Sequence, residues 1–201
     1  MIEKYAKIIV ANTYQGGFEM LKAILSKRDL KEYGEYYGCV RDLLEDAAVH
    51  SLSEFRHHIG TTRLQHSLNV SYYNFLICRR LGLDARAGAR GGLLHDFFLY
   101  NRKTHEKTER SHAAEHSKTA LRNASERFEL SDLERDMIVN HMWPMTREIP
   151  RHRETFIITL VDKFCAVAEV TQAAYRVTKR FAKNGAQTAA CFAAALLLSI
   201  K

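Results

Sequence analysis

A histidine followed directly by an aspartate, His95-Asp96, lies inside the apolar run GGLLHDFFLY, residues 91–100. The dipeptide gains meaning from its company. Metal-capable side chains recur in order along the chain: His66, His95-Asp96, His112 or His116, His141 and Asp162. Neutral imidazole and ionised carboxylate are good donors to Fe, Mn, Co, Ni and Zn. A lone histidine on an apolar helix face is usually a hydrogen-bonded core residue. A buried series of histidines and carboxylates needs a compensating partner, because unpaired polar groups in an apolar interior are costly. A metal cluster is such a partner.

The elements that must position these residues read as helices. The chain has 201 residues, enough for one domain with a substantial core. It is 46% hydrophobic and 26% charged, with only two prolines, Pro144 and Pro150. Helical periodicity runs through most of it, so the expected class is all-α. Thr61 or Thr62 caps a helix to about Leu81, with Leu64, Leu68, Tyr72, Phe75 and Leu76 in one stripe. Asp84 caps the next, which runs to about Phe98 and carries the His-Asp pair near its end. Asn101–Arg110 is a charged loop. A helix follows over Ser111–Phe128. Ser131 with Glu134 is a capping-box signature for a helix over Asp132–Met142, closed by Trp143-Pro144. A long helix covers Arg153–Lys183, Gly185 breaks it, and a final apolar helix follows.

Before Thr61 the pattern is less regular. Gly16-Gly17 separates two short helices, Lys31–Gly38 reads as a connection, and Cys39–His50 and Ser53–His58 read as helical. The expected organisation is an N-terminal helical extension over 1–60, a metal-binding core over 61–184, and a C-terminal helix over 185–201 packed on that core. The tail Ala189–Ile200 is apolar but too short to span a bilayer.

Cys39, Cys78, Cys165 and Cys191 are far apart and form no C-x-x-C pair. They read as reduced thiols of a cytoplasmic protein. Met1–Lys7 contains Glu3, Lys4 and Lys7 and does not read as a signal peptide. The net charge is +7 and unevenly placed. Residues 1–60 carry 8 Lys/Arg and 9 Asp/Glu, while residues 61–201 carry 22 and 14. The basic part favours anionic partners such as phosphates or nucleic acid, or is simply a solvated surface. No glycine-rich phosphate loop and no internal repeat occur.

The segments RLQHSLNV, LLHD, HSKTAL, IVNHMW and LVDKF, taken in order, resemble the HD-domain superfamily of metal-dependent phosphohydrolases over about Thr61–Ala168. The resemblance implies a helical fold, a buried site for one or two divalent transition-metal ions (Fe, Mn, Co, Ni or Zn), and hydrolysis of phosphate esters or anhydrides. It assigns His66, His95, Asp96 and Asp162 to a first ion, with Asp96 bridging to a second held by His116 and His141. His112 lies one helical turn before His116 on the same face; the motif offset favours His116 as the ligand and leaves His112 as a substrate contact. Arg63 takes the place of a phosphate-contacting arginine, and Lys163 directly follows Asp162. Asp96, Arg63 and Lys163 are therefore the expected catalytic groups.

His57-His58 reads as a surface pair; the alternative puts it at the pocket mouth, with His58 on phosphate. The expected partner is a small phosphorylated substrate, a nucleotide foremost, with nucleic acid second and no membrane. The alternative function is a basic helical nucleic-acid-binding or regulatory module with a structural or degenerate metal site.

Overall fold

The computed structural model describes residues 30–57, 61–100 and 112–198; within them it describes the side chains of all but 30–33, 112–114, 176–177 and 180–198. Among the described residues the order is α1 (Leu30–Leu44), α2 (Ala47–Ser51), a 3-10 turn (Leu52–Glu54), α3 (Arg63–Arg80), α4 (Ala85–Leu94), α5 (His112–Ser125), α6 (Asp132–Asn140) and α7 (Arg153–Leu198). The fold is all-α, and its only strand-like feature there is a single β-bridge between Arg56 and Thr62. No helix among the described residues is long and apolar enough to cross a membrane. The expectations for residues 1–29 and for the loop 101–110 fall outside the described residues.

Local chemistry explains most of the boundaries. Thr62 caps α3 by accepting from the Gln65 amide, and Asp84 caps α4 by accepting from Ala87. Gly82, at φ 67°, takes the left-handed conformation that ends α3. The capping box at α6 is complete: Ser131 accepts from the Glu134 amide, and Glu134 reaches back to the Ser131 amide.

Four sequence expectations are corrected. Residues 31–38 are not a connection but part of α1. Its Tyr36, Val40, Leu43 and Leu44 form a buried stripe, while Gly34 and Gly38 lie on the exposed side. Packing along that stripe outweighs the weak helix propensity of two glycines. Ser53–His58 is not α-helical where described, because the 3-10 turn gives way to extended backbone at Phe55. α4 and α6 stop at Leu94 and Asn140, before the expected Phe98 and Met142, so that His95 and His141 stand at their C-caps. Finally, α7 passes through Gly185 without a break; one glycine costs a helix only ~1 kcal/mol. The side chains of 185–198, whose docking on the core is expected, lie outside the described residues.

α3 is the central element, with α4 and α7 packed against it. One apolar cluster joins α1 and α2 to α3, α4, α5 and α6 through residues such as Tyr36, Leu43, Leu68, Leu93 and Ile138. A second joins α3, α4 and α6 to α7 through Val70, Ala87, Met137, Ile158 and Val161. Polar links cross the same layers. Tyr36 donates to Ser71 Oγ, which donates to the Ala89 carbonyl. Buried Arg90 of α4 pairs with Glu134 of α6 at 2.6 Å and with Asp42 of α1.

The α3–α4 approach is set by glycine. A Cβ on Gly92 would stand 2.6 Å from the Ser71 Cα and 2.9 Å from its amide nitrogen, both backbone atoms that cannot swing aside. Gly34, by contrast, has nothing within 4 Å of its Cβ position. Gly92→Ala is therefore expected to destabilise the protein by ~2–3 kcal/mol in urea unfolding, the upper end for overpacking. Gly34→Ala is expected to stabilise it by ~0.5–1 kcal/mol. Equal effects at the two positions would overturn this account of the helix contact.

Candidate metal centre

Five helices and one short extended segment converge on Asp96. His66 lies in the first turns of α3, and His95 and His141 are the residues at which α4 and α6 end. Asp96 follows His95 directly. His116 comes from α5, and Asp162 and Glu169 from α7. His57 comes from the segment beside the Arg56–Thr62 bridge.

Asp96 is 4% exposed and its two oxygens face different histidines. Oδ1 stands 3.4 Å from His116 Nε2 and 3.9 Å from His141 Nε2. Oδ2 stands 3.4 Å from His57 Nδ1 and 4.0 Å from His95 Nε2. Asp162 Oδ1 is 2.9 Å from His66 Nε2 and 3.6 Å from His95 Nε2. His116 and His141 meet through their Nε2 atoms at 3.1 Å. Donor atoms of His66, His95 and Asp162 lie within 4.8 Å of one another, as do those of His95, Asp96 and His141.

The imidazoles are oriented from behind. His95 Nδ1 meets the Gly92 carbonyl at 2.8 Å, and His141 Nδ1 meets the Ile138 carbonyl at 2.8 Å. A carbonyl only accepts, so each Nδ1 carries a proton and each Nε2 faces the cluster. His66 Nδ1 stands 3.2 Å from both oxygens of Glu169, which also accepts from Asn69 at 3.0 Å.

The charges follow from burial and neighbours. Burial opposes ionisation of Asp96, but His95, His116, His57 and His141 outweigh it and hold its pKa well below the usual carboxylate range. Asp162 is likewise depressed, against its burial, by hydrogen bonding to His66 and by the proximity of His95. Burial, with His95 and His116 close by, pushes His141 down to about 3, which keeps it neutral. Burial works against a charge on His66, but Asp162 and Glu169 win and raise it to about 10.

The donor set fits a divalent cation on an observation independent of sequence. His95 Nε2 is buried with no hydrogen-bond partner, aimed between Asp162 and Asp96 at distances too long for hydrogen bonds. A buried ring nitrogen in that position costs free energy unless it gains a partner, and a cation shared with the two carboxylates would be one. Imidazole nitrogens with carboxylate oxygens suit a transition metal, and carboxylate or carbonyl partners behind metal-binding histidines are the usual means of fixing them.

The structure thus brings together His66, His95, Asp96, His116, His141 and Asp162. Two residues expected at the substrate are placed elsewhere. Arg63 is 0% exposed; its guanidinium donates to the carbonyls of Phe98 and Tyr100 and lies 3.6 Å over the Phe98 ring. Lys163 Nζ, half-buried, donates to the carbonyls of Thr159 and Trp143 at 3.2 and 3.3 Å. Arg63 thus fastens the backbone that follows Asp96, and Lys163 the backbone that follows His141 and its own preceding turn. His58 lies outside the described residues. His112 opens α5 one turn before His116, and its side chain is likewise outside them.

Sequence reasoning missed Glu169 and Asn69, and it favoured the surface for His57. Glu169 had a signal, since it follows Asp162 by seven residues and shares its helix face. Asn69 likewise follows His66 by one turn. His57 had a weak one, the pocket-mouth alternative for the His57-His58 pair, because its placement depends on the Arg56–Thr62 bridge and not on a helix period.

A family model, the HD domain, matches residues 63–167. No curated protein and no solved structure matches the chain. The match spans every helix from α3 to α6 and the part of α7 that carries Asp162, and the chain belongs to the HD-domain family.

Proposed function

We propose that this protein is a metal-dependent phosphohydrolase that cleaves a phosphate ester or anhydride of a nucleotide or small phosphorylated metabolite. The observation that carries the reading is the buried Asp96, ionised, with imidazoles facing both of its oxygens. In this reading His66, His95, Asp96 and Asp162 hold one ion, and Asp96, His116 and His141 hold a second. Bound divalent ions supply an acidified water and offset charge on the phosphoryl oxygens.

The chain's own residues do the rest. Asp96 accepts a hydrogen bond from the attacking water and turns it toward phosphorus. The Gly92 and Ile138 carbonyls turn the Nε2 atoms of His95 and His141 toward the cation position, and Glu169 fixes the His66 ring, whose Nε2 would exchange the proton it shares with Asp162 for a cation. Arg63 and Lys163 hold the walls of the site through backbone carbonyls. His58 and His112 remain the proposed substrate contacts. The excess of basic residues after position 60 favours an anionic substrate. A cytoplasmic setting agrees with the free thiols of Cys39, Cys78 and Cys165.

Protein purified without chelator, or reconstituted with Mn, Fe, Co or Ni, is expected to hold one or two ions per chain by elemental analysis. It is expected to release phosphate from members of a panel of phosphorylated metabolites, and chelator should abolish this. Asp96→Ala should lose metal at both positions. A protein that takes up none of these metals would sink the reading. If the metal-loaded protein turns over nothing yet binds nucleic acid with a steep salt dependence, the alternative of a basic binding module takes its place.

Two further variants test the ligand set. His116→Ala is expected to fall toward one ion per chain, while His112→Ala keeps its metal and shows only a kinetic defect; the reverse pattern would reverse the assignment. Glu169→Gln is expected to lower metal affinity ~10–100-fold through the loosened His66 ring, measured by competition with a chromophoric chelator. Unchanged affinity would show that Glu169 has no part in orienting His66.

A further inference from the structure

We infer that His57 supplies a further imidazole ligand to the metal centre, on the face shared by His66 and Asp96. The inference rests on the cluster being a metal centre.

His57 belongs to no helix, yet its backbone is fixed on both sides. Its amide donates to the Thr61 carbonyl at 3.0 Å, and the Arg63 amide donates to the Phe55 carbonyl at 2.8 Å, the two hydrogen bonds flanking the Arg56–Thr62 bridge. The side chain that this geometry delivers is 8% exposed, which rules out a surface histidine. Its ring lies almost parallel to that of His66, with centroids 3.9 Å apart and 20° between planes. Its Nδ1 stands 3.4 Å from Asp96 Oδ2.

That distance fits two donors to one ion, as does the 3.4 Å between His116 Nε2 and Asp96 Oδ1. A charge-assisted N–H to carboxylate hydrogen bond closes to ~2.7–2.9 Å. Two donors sharing one transition-metal ion, each ~2.0–2.2 Å from it, stand roughly 3–4 Å apart. His57 Nδ1 and Asp96 Oδ2 are at the second spacing. Donor atoms of His57, His66 and Asp96 also lie within 4.8 Å of one another, the same compactness as the His66, His95 and Asp162 group.

The consequence concerns access. With His57 added, the ion near His66 has protein donors from His57, His66, His95, Asp96 and Asp162. An octahedral ion would then offer a single position to an outside molecule, and an ion on the side of His116 and His141 would have fewer protein donors. His57 is also the one ligand of the set that is neither on a helix nor at a helix end, and the Arg56–Thr62 bridge sets its place instead.

The test uses the Co(II)-loaded full chain and its proton NMR spectrum, in which each ligating imidazole contributes a strongly shifted exchangeable N–H. His57→Ala is expected to keep Co(II), bind it roughly tenfold or more weakly, and lack one shifted N–H signal. His57→Gln, which preserves volume and can still hydrogen bond to Asp96, is expected to lack the same signal. Variants that bind Co(II) with a spectrum unchanged from the natural protein would overturn the inference and leave His57 as a hydrogen-bonded neighbour of Asp96, with the metal centre intact. Failure of the natural protein itself to take up Co(II) would overturn the metal centre and His57's place in it together.

Discussion

An ionised carboxylate enclosed in a helical core constrains the rest of this molecule. Asp96 is almost fully buried and is kept charged only by the histidines around it. A buried charge without compensation is too costly to keep, so the imidazoles must be delivered from several directions at once. Each comes from a different stretch of chain, and each must arrive within a few ångströms. The close α3–α4 contact through Gly92 and the Arg90–Glu134 pair fix the helices that do this.

Much of that arrangement was legible in the sequence, for reasons that residues make plain. α3 carries a regular apolar stripe between a threonine cap and a glycine stop, and α6 opens with a complete capping box. The six clustering side chains announced themselves by order and by their apolar settings. Helix ends were less legible. α4 and α6 are periodic beyond the points where they stop, and nothing local marks Leu94 or Asn140 as final residues. The stop becomes intelligible only with the site in view, since the following histidine turns its Nδ1 back on the helix. α1 hid for the opposite reason: its glycines and tyrosines suggest a turn until Tyr36, Val40 and Leu43 are seen to face one core.

Charge near a site residue was a poor guide to where the side chain points. Arg63 precedes His66 by three residues and Lys163 directly follows Asp162, and both read as catalytic groups, Arg63 as a phosphate contact. In space each bonds to backbone carbonyls instead, and Arg63 is held between the Phe55 and Phe98 rings. Each residue turns an α-helix by about 100°, so Lys163, next to Asp162, points away from it, whereas Arg63 shares the face of His66 and is drawn off by the Phe98 and Tyr100 carbonyls. His57 is the converse case, distant in pattern and close in space.

The early stops of α4 and α6 carry a further meaning. A helix bears a partial negative charge at its C-terminal end, where its last carbonyls have no amide to accept from. These two helices, 10 and 9 residues long, both end on the histidines of the cluster. Their macrodipoles therefore point their negative ends at the place proposed for a cation. Each contributes on the order of 0.3–1 kcal/mol, and more where the end is buried. That part of the attraction resides in the backbone, is indifferent to which metal arrives, and survives the loss of any single side chain.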